Sequence, residues 1–71
     1  MENDFIFKYR LKIARKKRGM SQSVLAHVSD LQPSAISHFE TGNRQPCLRN
    51  LAKLALALNV SADYLLGLHN N

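Results

Sequence analysis

The residues that begin and end helices divide this chain into five short segments, and this division constrains the fold more than any other feature. Residues that adopt the left-handed conformation at low cost, as helix C-termini require, recur at Gly19, Gly42, Asn59 and Gly67. Residues typical of helix N-termini stand at Ser21, Gln32–Pro33 and Ser61. The first predicted helix ends near Arg18, the second runs from Gln22 to about Val28, and the third runs from about Pro33 to Thr41. The fourth begins near Leu48 and ends at Asn59, and the fifth begins after Ser61. No segment alternates as a strand would, so the sequence predicts an all-α fold of five helices in one compact unit.

Apolar residues at helical spacing give these segments an inward face. Phe7, Leu11 and Ala14 recur at i, i+4 and i+7 in the first segment. Ile36 and Phe39 form the inward face of the third segment, which leaves four residues predicted to point outward: Ser34, Ala35, Ser37 and His38. All four are small or polar, although Lys and Glu suit a solvent-facing helix better. This outer surface is therefore unusual for one that needs only solubility.

A chain of 71 residues allows one domain, predicted here over residues 1–71 with a core at about 7–67. Such a chain buries only about 60% of the surface that its unfolded form exposes. The single Cys47 cannot form an internal disulfide, and no ligand spacing for a metal exists among His27, His38, His69 and Cys47. We therefore expect no metal and no cofactor, and a core held by apolar packing.

The chain also has no apolar run near the roughly 18 residues that span a bilayer. Acidic Glu2 and Asp4 stand where a signal peptide has positive charge. We therefore expect no membrane association and a cytoplasmic location.

Charge narrows the class of partner. Ten Lys and Arg against five Asp and Glu give a net charge of +5, and seven of the eleven residues from Lys8 to Arg18 are basic. Such a stretch favours a polyanion, although a basic helix face is often merely solvated. Charge alone thus indicates nucleic acid without establishing it.

Three segments carry a specific resemblance: SQSVLAHV (21–28), LQPSAISHFETG (31–42) and NLAKLALALNVSADYLLG (50–67). In order and spacing they resemble the Cro and phage-repressor type of helix-turn-helix protein, also called the XRE family, over about residues 7–67. The resemblance implies a lambda-repressor-like domain in which the second and third helices form the helix-turn-helix, and the third enters the major groove of DNA.

The same resemblance implies roles for individual residues. Those that would face the bases are Gln32, Pro33, Ser34, Ala35, Ser37 and His38. Those that would contact phosphates are Ser21, Gln22, Asn43 and Arg44. Arg15 and Glu40 would form a structural ion pair between the first and third helices, and Lys8, Lys12 and Lys16 would at most steer DNA at long range. His38 is alternatively an exposed histidine without a role.

Two residues depart from the family pattern. Asp30 stands where glycine is common in the turn, at a position that often needs positive φ. Cys47 stands where Ser or Thr usually caps the fourth helix. We expect Asp30→Gly and Cys47→Ser to stabilise the domain.

These observations predict a sequence-specific regulator of transcription, a repressor that binds a two-fold symmetric operator as a homodimer. One recognition helix reads only about four or five base pairs, whereas two helices about 34 Å apart read successive grooves. An enzyme built on Asp30, Ser34, Ser37 and His38 is not expected, because the chain has no pocket-forming mass and no second base. The alternative is an antitoxin or auxiliary module whose partner is another protein. Apolar residues in excess of one small core support it: Ile6, Tyr9, Ile13, Leu56, Leu65 and Leu68.

Overall fold

The computed structural model describes residues 2–68, with side chains from residue 6 onward, so His69 lies outside the described residues. Its five helices are α1 (Glu2–Lys17), α2 (Gln22–Ser29), α3 (Pro33–Thr41), α4 (Leu48–Leu58) and α5 (Ala62–Leu66). The prediction of an all-helical, five-helix fold is confirmed, and the predicted ends of the helices lie within one residue of those observed. No helix among the described residues has the length and apolar character needed to cross a membrane.

The helix ends use the capping chemistry that the sequence predicts. The Oγ atoms of Ser21 and Ser61 accept hydrogen bonds from the backbone N–H groups of Val24 and Tyr64 at 3.0 and 2.9 Å. Left-handed residues end the last four helices, and the two that are not glycine are Asp30 (φ 59°) and Asn59 (φ 56°). The side chain of Cys47 caps nothing at the start of α4, as expected for a weak N-cap.

The core lies where α1 packs against α3 and α5, and where α2 packs against α3 and α4. The rings of Phe7 and Phe39 meet edge to face with their centroids 6.3 Å apart, a favourable aromatic geometry. The largest fully buried side chains come from all five helices: Phe7, Phe39, Leu11, Leu25, Ile36, Leu54, Leu58 and Leu65. This shared core fixes the orientation of α3, because the inward side of the helix packs against both α1 and α2.

The expectation of surplus apolar surface is correct in part. Tyr9, Ile13, Leu56 and Leu68 are exposed, as are Val24, Val28 and Leu48. Leu65, in contrast, is wholly buried, because α5 packs its inward side against α1. Ile6 is half-buried beside Gly67: a Cβ atom at this glycine would lie 2.7 Å from Ile6 Cγ2.

Candidate nucleic-acid interface

The outer side of α3 is the surface whose composition the sequence marks as unusual. Gln32, Pro33, Ser34 and His38 are exposed, and Ser37 is half-exposed. Gln32 is the N-cap residue in extended backbone conformation, and Pro33 is the first helical residue. Five of the six residues predicted to face bases therefore lie on the accessible side of α3 or at its start.

The sixth, Ala35, was wrongly predicted to point outward. It is only 8% exposed and belongs to the hydrophobic core. Ala35 precedes Phe39 by four residues, so the two share the inner side of the helix. Ala35 therefore does not belong to the outward-pointing residues of α3.

Thr41 is exposed on the same outer side, since it follows Ser34 by seven residues and Ser37 by four. The sequence pattern indicates Thr41 only as the last residue of α3. Its hydroxyl donates to the carbonyl oxygen of His38 at 3.1 Å. The outer row of α3 thus runs through Ser34, Ser37, His38 and Thr41.

The turn between α2 and α3 is closed by backbone hydrogen bonds. Asp30 N–H donates to His27 O at 3.2 Å, and Leu31 N–H donates to Ala26 O at 2.8 Å. This pair of bonds is the Schellman arrangement, which requires a left-handed residue, and Asp30 supplies it. The turn fixes the angle between the two helices and thereby presents the start of α3 beside α2.

A buried ion pair joins α1 to the last turn of α3, as predicted. Arg15 Nε and one terminal nitrogen, Nη2, donate to the two carboxylate oxygens of Glu40 at 2.6 and 3.1 Å, and the side chains are only 10% and 3% exposed. Arg15 Nη1 also donates to Met20 O at 2.8 Å. Both the guanidinium and the carboxylate are hydrogen-bonded, which offsets the cost of burying their charges.

The amide of Gln22 takes part in the same network. Its Nε2 donates to Glu40 Oε1 at 3.1 Å, and the residue is half-buried at the first position of α2. This contact was not predicted. The amide has a second N–H and a carbonyl oxygen that this bond does not use, so the predicted phosphate contact of Gln22 remains a prediction.

A polar cleft of about 330 Å³ opens beside the start of α3. It is lined by Asp30, Leu31, Gln32, Ser34, Ala35, Arg44 and Asn50. The guanidinium carbon of Arg44 lies 5.8 Å from the centroid of the Phe39 ring, a cation–π contact that holds this exposed side chain near the helix. Residues from the N-terminus of α3 and from the following loop therefore meet at one place.

Asn50 was missed by the sequence analysis. It lies in the first turn of α4 and is half-buried in the cleft wall. Its polar side chain among the leucines of α4 was the available signal. Asn43 is exposed in the adjacent loop, where its N–H donates to His38 O at 2.9 Å. No group of three or more His, Cys, Asp or Glu side chains suited to a metal occurs among the residues that the structure describes.

Comparison with known proteins gives the same assignment. A family profile described as helix-turn-helix matches residues 11–65, which is more than three quarters of the chain. The chain belongs to the XRE-type helix-turn-helix family. The resemblance inferred from the three sequence segments is thus confirmed, and the family assignment covers all of α2, α3 and α4.

Two curated relatives of this family member come from Bacillus subtilis. The HTH-type transcriptional regulator ImmR is 41% identical over 58 residues, which are 82% of this chain and 46% of ImmR. The SPbeta prophage-derived uncharacterized HTH-type transcriptional regulator YonR is 37% identical over 61 residues, which are 86% of this chain and 56% of YonR. The chain spans about half the length of the curated relatives that it matches.

A solved structure shares the fold. The restriction-modification controller protein C.AhdI from Aeromonas hydrophila matches with a TM-score of 0.84 at 35% sequence identity. The match covers 92% of this chain and 98% of the C.AhdI chain. The arrangement of the five helices is therefore similar to the fold of this controller protein.

Proposed function

We propose that this protein is a sequence-specific regulator of transcription that inserts α3 into the major groove of double-stranded DNA. The observation that carries the proposal is the contrast across α3: its inner side is locked into the core, whereas its outer row is exposed, small and polar. The major groove is about 12 Å wide and admits a helix whose leading side chains are modest in size. Ser34, Ser37, His38 and Thr41 meet this requirement.

Base and phosphate contacts divide between different parts of the surface in this proposal. Ser34, Ser37 and His38 carry donors and acceptors suited to base edges, and Pro33 and Gln32 flank them at the start of the helix. Arg44 and Asn50 line the cleft beside α3, and Asn43 is exposed in the adjacent loop. A DNA backbone phosphate fits their charge and hydrogen-bonding groups. Ser21 and Gln22 form the second flank at the N-terminus of α2, whose free N–H groups favour an anion.

We also propose that the protein acts as a homodimer on a two-fold symmetric operator and represses transcription by occupying it. One α3 reads too few base pairs for a specific site, whereas two read successive grooves about 34 Å apart. Exposed Leu48, Ala52 and Leu56 form a row along α4, at i, i+4 and i+8, that a second copy would cover. We expect the protein to act in the cytoplasm and to have no catalytic activity.

The decisive experiment changes the charge of the outer row without changing the fold. Ser34 is the second residue of α3, so Ser34→Glu places an acid where the helix dipole tolerates it but where it would repel the polyanionic DNA. We expect binding to a duplex selected from random DNA to be lost, with circular dichroism unchanged. Ser34→Ala, the matched control, should lose about ten-fold at most. Undiminished binding by Ser34→Glu would show that α3 does not enter the groove.

A protein-interaction module is the second candidate, and the exposed apolar residues of α1 and α2 favour it. Tyr9, Ile13, Val24 and Val28 are 60%, 46%, 48% and 51% exposed. The salt dependence of DNA binding separates the two functions. Log affinity against log salt should have a slope near −0.9 per neutralised phosphate, or about −5 or steeper for a dimer. A flat response would favour the protein partner.

A further inference from the structure

The side chain of Lys8 lies directly against the residue that ends α3. A Cβ atom built on Gly42 would lie 3.1 Å from Lys8 Cδ and 3.5 Å from Lys8 Nζ. Lys8 is half-buried, and its ammonium lies 5.5 Å from the centroid of the Tyr9 ring. The alkyl chain therefore packs across the α3 C-cap and carries its positive charge to the end of that helix.

Lys8 and Arg15 stand seven residues apart, two turns along one side of α1. Arg15 binds the carboxylate of Glu40, and Lys8 meets Gly42 two residues later. Two cations of α1 thus lie against the end of α3. Arg15 forms a buried ion pair with Glu40, whereas Lys8 packs beside the C-cap residue Gly42.

We propose that Lys8 is a positioning residue for DNA binding, which fixes the end of α3 and the first residues of the loop that follows. This inference rests on the proposed function. Backbone N–H groups of Asn43 and Arg44 both donate to His38 O, at 2.9 and 3.3 Å, so the loop leaves the helix from its last turn. A shift of this turn would displace the side chains proposed to bind phosphate.

The electrostatics favour this role. The C-terminus of a helix carries a partial negative charge, and the only basic residue in the last turn of α3 is His38. The ammonium of Lys8 supplies a fixed positive charge from a neighbouring helix. Lys12, also on α1 but exposed, offers a charge of the same kind away from this contact.

The test compares Lys8→Met with Lys12→Met, which removes an equal charge, and with Lys8→Arg, which keeps it. The probe is the duplex selected from random DNA by the wild-type protein, titrated at several salt concentrations. Lys8→Met should bind about three-fold more weakly than wild type with an unchanged salt slope, and Lys8→Arg should restore part of the loss. Lys12→Met should change affinity by less than Lys8→Met.

Hydrogen exchange in the free proteins provides a readout that needs no DNA. The amides of Asn43 and Arg44 should exchange about three-fold faster in Lys8→Met, while core amides of α4 keep their order of protection. Unchanged affinity would overturn the inference, as would unchanged exchange of the two loop amides. A salt slope shallower by about 0.9 per protomer would also overturn it, because Lys8 would then be a phosphate ligand. Failure of wild type to select any duplex would instead refute the proposed function, leaving the exchange result to stand alone.

Discussion

The two sides of α3 differ in burial and in side-chain chemistry. On the inner side Ala35, Ile36 and Phe39 are between 0 and 8% exposed, and this side packs against α1 and α2. On the outer side Ser34 and His38 are exposed and carry short polar side chains. The inner side determines where the helix sits, and the outer side is left to determine what it contacts. Stability and recognition are therefore separable along one nine-residue helix.

Two single variants at consecutive residues, Ile36 and Ser37, give the strongest test of this separation. Ile36→Ala should lower the free energy of unfolding by about 2 to 5 kcal/mol, because Ile36 is wholly buried and its loss leaves a cavity. Ser37→Ala should change it by no more than about 0.5 kcal/mol but weaken DNA binding. Urea denaturation and duplex titration measure the two effects. Equal destabilisation by both variants would contradict the contrast.

The ion pair at the boundary of the two sides should give the next largest effect. Glu40→Leu leaves the guanidinium of Arg15 with only Met20 O of its observed partners, and we expect a loss of about 3 kcal/mol in thermal or urea unfolding. The double variant Arg15→Met with Glu40→Leu removes both charges and should recover most of that loss. If the double variant were less stable than Glu40→Leu, the pair would contribute more than charge compensation.

Arg44 should affect binding without affecting the core. Arg44→Gln should weaken DNA binding about ten-fold, since a charge-assisted hydrogen bond contributes roughly 1.5 kcal/mol. The slope of log affinity against log salt should become shallower by about 0.9 per protomer. Arg49→Gln, also at an exposed position, serves as the control. An unchanged slope for Arg44→Gln would remove the cleft from the interface.

The N-cap of α4 provides a test that affects neither the inner nor the outer side of α3. Cys47→Ser should raise the free energy of unfolding by about 1 kcal/mol, because a serine hydroxyl can accept from the first turn where Cys47 accepts nothing. Cys47→Ala serves as the control and should not stabilise. The melting temperatures of the two variants provide the comparison, and a gain in both would point to a cause other than capping.

The turn before α3 should give the smallest effect. Asp30→Gly relieves a left-handed residue at φ 59° but enlarges the freedom of the unfolded chain, so we expect a net gain of about 0.5 kcal/mol. The ion pair of Asp30 with Lys53 spans 3.8 Å with the Asp30 side chain 96% exposed, and its loss should matter little. Asp30→Asn tolerates the same backbone and should be nearly neutral by thermal melt.

The helix boundaries were predictable because local chemistry decides them. Ser21 and Ser61 cap helices with their own side chains, and Asp30 and Asn59 tolerate the left-handed backbone at which helices end. None of these choices depends on distant residues. Periodicity also located part of the core, since Phe7, Leu11 and Ala14 of α1 and Ile36 and Phe39 of α3 are buried as predicted.

The remaining features depend on contacts between helices. The spacing of Ile36 and Phe39 alone predicts that Ala35 points outward. Ala35 is also four residues from Phe39, so the two share the buried side of α3. The burial of Leu65 requires α1 as its partner, which no local pattern shows. The meeting of Arg44 and Asn50 at the start of α3 likewise depends on how the helices pack. Lys8 and Gly42 are far apart in sequence and are brought together only by the packing of α1 against α3.

The carboxylate of Glu40 receives hydrogen bonds from both Arg15 and Gln22, so one acidic group belongs at once to α1, α2 and α3. The first residue of α2 and the last turn of α3 are therefore held by the same carboxylate. An engineer wishing to retarget the scaffold is free to exchange side chains at 34, 37, 38 and 41 as a set. Glu40, in contrast, should be kept together with Arg15 and Gln22, because the three side chains form one hydrogen-bonded network.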